Sequence, residues 1–205
     1  MFEIISDGGV FMWPLLFGSA LAVGVGLERL LFFLKLKPAN RAFRQNLERA
    51  LTSGDLETAS GLCASEGPAQ ACAKAAIENW GSDIEVVETA MSAQAKEQEP
   101  LLHRFLGLLE TIVTAAPLVG LLGTITGMMG VFQSVAQKLN SDPHANTTGI
   151  TAGIGEALIA TATGILVAVL ALIIHNICQS VAESRMTETE QTAECIRLAH
   201  AKQSK

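Results

Sequence analysis

The stretch that most restricts the fold is Ala157–Cys178, which is almost wholly apolar or small. It is long enough to cross a bilayer, a task that takes about 20 residues. One charge stands at its head. Glu156 is the only Asp, Glu, Lys or Arg between Asp142 and Glu183. An ionised acid near the bilayer centre costs roughly 2.5–3.5 kcal/mol on insertion scales. Burial would push its pKa up, toward the range where it takes and releases protons. Among the headgroups at a helix end the same residue would be ordinary. An acid inside a membrane is a functional-site hypothesis by default, and Glu156 is the first candidate.

Two further apolar runs make three spans. The first is residues 9–34, with no charge from Gly8 to Leu27. Trp13 suits the aromatic belt at its start. Glu28-Arg29 near its other end reads as an interfacial ion pair whose long side chains reach toward water. The second is residues 108–136, charge-free from Thr111 to Gln137 and longer than the roughly 30 Å hydrocarbon core, so it tilts or projects. The third is residues 150–178. Of the 14 basic residues only Lys138 lies in the connection 137–149, and Lys35, Lys37, Arg41 and Arg44 follow the first span directly. This asymmetry places the N-terminus (residues 1–8) and the 137–149 loop outside and the remainder inside. Residues 1–8 carry no basic side chain, and the apolar run behind them is longer than a signal-peptide core, so it reads as a retained span.

The inside portions read as helical. Residues 35–107 hold helices over 41–51, 56–64, 69–80 and 84–99. Ser53-Gly-Asp55 breaks the first and caps the next, Glu66-Gly-Pro68 makes a turn, and Gly81-Ser-Asp83 supplies a stop and an N-cap. Pro100 marks a kink or junction beyond which the chain runs on into the second span. The tail, 179–205, continues the third span as a cytoplasmic helix. The fold class is therefore an all-α membrane protein: three transmembrane helices, a helical cytoplasmic domain between the first two, and a helical tail. The cysteines Cys63, Cys72, Cys178 and Cys195 fall at or beyond the inner face, where thiols stay free.

The second and third spans each carry a stripe of small residues. Ala116, Gly120, Gly123, Gly127, Gly130 and Ser134 recur at spacings of four and three, and so do Gly153, Ala157, Ala160, Gly164, Ala168 and Ala171. Such faces let helix backbones approach closely. Gly120, Gly123, Gly127, Ala157, Ala160 and Gly164 are the expected packing residues, and Pro117 is the expected hinge, since it frees a carbonyl inside the membrane. Thr124 and Glu156 each lie about 80° from the centre of their stripe at 100° per residue, Thr161 about 60° to the other side, and Thr163 falls near Glu156. Each threonine could simply bond back to its own helix. Three of them beside an acid suggest a polar path. His103 and His175 read as interfacial residues.

Composition excludes other classes. The chain of 205 residues is 49% hydrophobic and 17% charged with net charge −6, which offers nothing to nucleic acid. There is no nucleophile–base motif, phosphate loop or metal cluster, so neither an enzyme nor a cofactor is expected.

Ala116-Pro-Leu-Val-Gly-Leu-Leu-Gly-Thr-Ile-Thr-Gly127 and Gly153-Ile-Gly-Glu-Ala-Leu-Ile-Ala-Thr-Ala-Thr-Gly-Ile165 resemble the signature segments of the MotA/TolQ/ExbB proton-channel family, and Glu28-Arg-Leu-Leu31 is similar to it too. Three spans rather than four resemble the ExbB/TolQ branch. The resemblance implies an inner-membrane ring, usually a homopentamer, enclosing the single membrane helices of a two-copy ExbD/TolR-type partner. It implies proton flow coupled to motion of that partner, with force passed to a TonB- or TolA-type protein. The resemblance implies that the partner's membrane aspartate is the protonated carrier; Glu156, Thr161 and Thr124 match the family's acid and pore-lining threonines, which supports roles for them without showing which one touches the proton. A role in outer-membrane transport, a TolQ-type role in envelope maintenance and a non-conducting scaffold all remain open, as does the choice between proton and sodium.

Overall fold

A computed structural model describes residues 9–141 and 148–203. Among them seven helices follow one another: α1 Met12–Lys35, α2 Arg41–Ser53, α3 Leu56–Leu62, α4 Pro68–Glu78, α5 Ile84–Leu102, α6 Leu106–Ser141 and α7 Thr148–Gln203. Three of the described helices are long and apolar enough to cross a membrane. The all-α class with three membrane-length helices is as the sequence predicts. The expected segment 1–8 and the core of the expected loop, 142–147, lie outside the described residues. At either side of those residues α6 runs to Ser141 and α7 starts at Thr148.

The local signals act largely as their chemistry demands. Asn40 caps α2 by accepting from the Phe43 N–H at 2.9 Å, and the helix ends on Gly54 at φ 77°. Asp55 caps α3, accepting from the Thr58 N–H at 2.9 Å and its hydroxyl at 2.6 Å. Pro68 opens α4, where its missing N–H costs nothing. Asp83 precedes α5 but makes no side-chain cap bond, so the expected N-cap there is positional only.

The junction with the second span differs from expectation. α5 continues through Pro100, and the interruption falls at 103–105, where Phe105 takes a left-handed φ of 65°. A proline removes one helical hydrogen bond, whereas a positive φ turns the chain out of the helix.

The chain divides into two units, up to Leu27 with Phe105–Asn176, and Glu28–Arg104 with Ile177–Lys205. In the second, Leu47, Leu51, Cys63, Cys72, Trp80, Val87, Met91 and Ile196 form a buried core. The end of α7 belongs to this core. Trp80 Nε1 donates to Gln203 at 2.7 Å, Lys202 pairs with Glu48 at 2.7 Å, and the Ala39 N–H donates to Glu188 at 2.8 Å. The sequence reading gave the tail a helix but no docking site. Arg29 also departs from expectation. It does not reach water: it is 1% exposed, forks onto Glu28 at 2.6 and 2.8 Å, donates to the Leu101 carbonyl at 2.9 Å and lies over the Phe32 ring. The last carbonyls of a helix lack partners, and Arg29 supplies one to α5. All four cysteines are free thiols, and burial pushes Cys63 and Cys72 up to about 11.

Candidate functional site

The first unit is built on a seam between α6 and α7. The two helices run antiparallel, and their small residues meet backbone to backbone. A Cβ built on Gly164 would stand 2.6 Å from the Ala116 carbonyl oxygen. One on Gly120 would stand 3.0 Å from the Ala160 carbonyl oxygen and 3.1 Å from the Thr161 Cα. Further along, Gly123 faces the Ala160 methyl, Gly127 faces Ala157, and Gly153 faces Val131. Gly120, Gly123, Gly127, Ala157, Ala160 and Gly164 thus lie in one interface. The outer end of the α6 stripe does not follow. Gly130 has nothing within 4 Å of a built Cβ and is exposed, as is Ser134, while Val131 is buried in their place. From Gly127 the contact row steps by four, along the ridge that helix packing favours, and not by three.

The seam fixes the level of the acid. Ala157 packs on Gly127 and Ala160 on Gly123, so Glu156 stands level with the turn of α6 that runs on from Thr124. Thr124 is the midpoint of the charge-free stretch Thr111–Gln137. Glu156 itself points out of the interface and is exposed on this chain, while Thr124, Thr161 and Thr163 are half-buried.

The threonines behave differently from one another. Thr124 bonds back to its own helix, donating to the Leu121 carbonyl at 2.7 Å, as do Thr111, Thr114 and Thr126 on α6. Thr161 instead reaches across the seam and donates to the Gly120 carbonyl at 2.9 Å. Its hydroxyl oxygen keeps acceptor capacity on the α7 side. Thr163 lies seven residues, two turns, after Glu156 on the same side of α7. Pro117 sits inside an uninterrupted α6, next to the Ala116 carbonyl that Gly164 approaches.

A third wall comes from the start of α1, which the sequence reading did not associate with the acid. α1 runs parallel to α7, with Gly26 against Ile174 at one end and Gly9 against Glu156 at the other. Phe11 packs beside Gly123. The signal was the Gly8-Gly9 pair, a turn marker read only as the edge of an apolar run. No group of three or more His, Cys, Asp or Glu suited to a metal occurs among the described residues.

Comparison with known proteins bears on this arrangement. The model of the MotA/TolQ/ExbB proton channel family matches residues 64–191, which include both helices of the seam. A Synechocystis protein described as putative biopolymer transport protein ExbB-like 3 is 34% identical over 174 residues, covering 84% of this chain and 82% of its own. Biopolymer transport protein ExbB of Pseudomonas putida is 28% identical over 184 residues, 80% of this chain and 52% of its own. Tol-Pal system protein TolQ of Pseudomonas aeruginosa is 37% identical over 93 residues, 45% of this chain and 38% of its own.

Proposed function

The chain belongs to the MotA/TolQ/ExbB proton channel family, as a multi-pass inner-membrane protein of the ExbB/TolQ type, and we propose that it is the ring-forming subunit of a motor driven by proton flow. The observation that carries the proposal is the placement of Glu156. It is the one charge of the membrane part of α7, it stands level with the middle of the charge-free part of α6, and it remains exposed on its own chain although its carboxyl group lies beside the turn before α1. An acid so placed needs a partner from outside the chain. A homopentamer closed around a two-copy ExbD/TolR-type single-span helix supplies one.

In this reading Glu156 takes up and releases the proton. Thr161, Thr124 and Thr163 line the route with hydroxyl oxygens. The small-residue seam holds α6 against α7, and Pro117 is the place where α6 can bend. The N-terminus is periplasmic and the C-terminus cytoplasmic, as the distribution of basic residues favours. Each proton falling through 100 mV delivers about 2.3 kcal/mol. Several together bias the rotation of the enclosed partner, and a TonB-type protein carries the force to outer-membrane transport. The relatives that match most of this chain carry biopolymer-transport names, which favours that role over the TolQ-type one.

The test is proton flux into proteoliposomes holding this protein with its co-expressed single-span partner. Flux that requires the partner and disappears in Glu156→Gln is the expected result. Full flux in Glu156→Gln sinks the proposal. Intact rings that never conduct move the assignment to a scaffold.

A further inference from the structure

The turn before α1 has no room for a side chain at Gly9 unless the Glu156 carboxyl group moves. Gly9 has φ +67°, a left-handed backbone that residues with a Cβ avoid. Independently, a Cβ on Gly9 would overlap Glu156 Oε1, and it would lie 3.1 Å from Cδ and 3.6 Å from Cγ of the same side chain. The carboxyl group of Glu156 therefore fills the space that a bare α-carbon leaves open. Two residues on, Phe11 packs against the built position on Gly123. The same turn thus touches α7 at the acid and α6 one turn from the Gly127–Ala157 contact, and it bridges the seam at the acid's level. Carbonyls of the turn are engaged in starting the helix: Met12 N donates to Gly9 O at 3.2 Å and Trp13 N to Val10 O at 3.4 Å.

We propose that Gly9 is a positioning residue for Glu156: the Gly9–Phe11 turn is a seat that holds the carboxyl group at one depth and orientation on the α6–α7 seam. The inference rests on the reading of Glu156 as the proton-carrying group. It adds a contribution from a segment outside the residues matched by the family model, which begin at 64. The clash is with the far end of a flexible side chain, so an added methyl group is accommodated by moving the carboxyl group and leaves the helices where they are. A substitution at position 9 is then mild for assembly and severe for whatever depends on where that carboxyl group stands.

The experiment compares Gly9→Ala, Glu156→Asp, the double variant and Gly54→Ala in the full chain with its single-span partner. Gly54 is the matched control: it has φ +77°, and a Cβ there meets nothing closer than 3.7 Å, so Gly54→Ala imposes the same kind of backbone strain away from Glu156. Two quantities are read: proton flux against pH, and the rate at which dicyclohexylcarbodiimide modifies Glu156, followed by mass spectrometry of the peptide. The second does not require conduction, so it separates failure of the seat from failure of the channel reading.

Gly9→Ala is expected to assemble normally, to lose about tenfold or more in flux, in line with the cost of displacing a reacting group by about an ångström, to shift the pH midpoint of flux and to label severalfold faster. Glu156→Asp, shorter by one methylene, is expected to be slow alone and to recover flux severalfold when combined with Gly9→Ala, because the shortened acid clears the new methyl. Gly54→Ala should match wild type in both readouts. Unchanged labelling and unchanged pH midpoint in Gly9→Ala overturn the inference, as does a double variant whose defects simply multiply. Wild-type protein that labels but does not conduct removes the channel reading and leaves the seat to be judged on labelling alone.

Discussion

The α6–α7 seam and the core around Trp80 solve the packing problem in opposite ways. In the core the large side chains are inside: Leu47, Leu51, Val87, Met91 and Ile196 are buried together. At the seam the large side chains are outside, with Leu118, Leu121, Ile125, Phe132, Leu158 and Leu166 exposed, and the inside is glycine and alanine. Water drives the first arrangement by removing apolar surface. Lipid is as apolar as leucine, so it offers no such drive, and helices there gain by close backbone contact. The contrast predicts that the two regions fail by opposite changes, one by loss of bulk and the other by its addition.

The largest effect is expected from Leu51→Ala in the core. Leu51 is fully buried, and such a truncation costs about 2–5 kcal/mol through lost transfer energy and a cavity. Thermal unfolding in detergent, followed by Trp80 fluorescence in a Trp13→Phe background, measures it. The same core has a pH signature. Cys63 and Cys72 are raised from 9.0 to about 11 by burial, so the folded state holds their protons more tightly than the unfolded state. Their contribution is fully present below pH 9 and is lost as the pH rises toward 11. Unfolding midpoints should fall across that window, and the fall should flatten in Cys63→Ala/Cys72→Ala.

A smaller loss, about 1–3 kcal/mol, is expected from Gly164→Ala at the seam, where the added methyl meets the Ala116 carbonyl and cannot push a side chain aside. Gly130→Ala sharpens the point. Gly130 meets nothing, so replacing it should be neutral or gain about 0.5–1 kcal/mol of helix stability. If both substitutions cost the same, it is glycine content and not the contact row that holds α6 to α7. Elution on a sizing column and thermal stability in detergent distinguish the cases.

Much of this was legible because the governing patterns are local. Three charge-free runs gave the three long helices, and Gly54, Asp55 and Pro68 acted where their chemistry puts them, while the Asn40 cap was not singled out. The stripe from Ala116 to Gly127 and from Gly153 to Gly164 was legible because repeated small residues at helical spacing have one use in a membrane. The rest depended on pairing between distant segments. Spacing continues the α6 stripe to Gly130, yet the partner Gly153 selects Val131. Arg29 looked like an interfacial residue because its partner, the Leu101 carbonyl, is 72 residues away. Of the two readings of Pro100, kink or junction, the junction falls instead at Phe105, because proline is visible in a sequence and a positive φ is not. For the site, Glu156 announced itself as a lone charge, while its neighbour Gly9 carried no sign of what it faces.

The smallest expected effect is also the most discriminating for the seam. Thr161 spends its hydroxyl proton on the Gly120 carbonyl, across the interface, whereas Thr124 spends its own inside α6. Hydrogen bonds between membrane helices contribute about 0.6 kcal/mol on average, and in a continuous helix the Gly120 carbonyl is also the acceptor for the N–H of residue 124. Thr161→Val, which keeps the shape, should therefore cost about 0.6 kcal/mol in stability. If Thr161 serves only the seam, flux will follow that small loss and stay close to wild type. If its oxygen also lines the proton route, flux will fall far more than stability does, while Thr161→Ser will restore both. A Thr161→Val protein with unchanged flux assigns the residue to packing alone and leaves Thr163, two turns on, as the hydroxyl on the acid's side of α7.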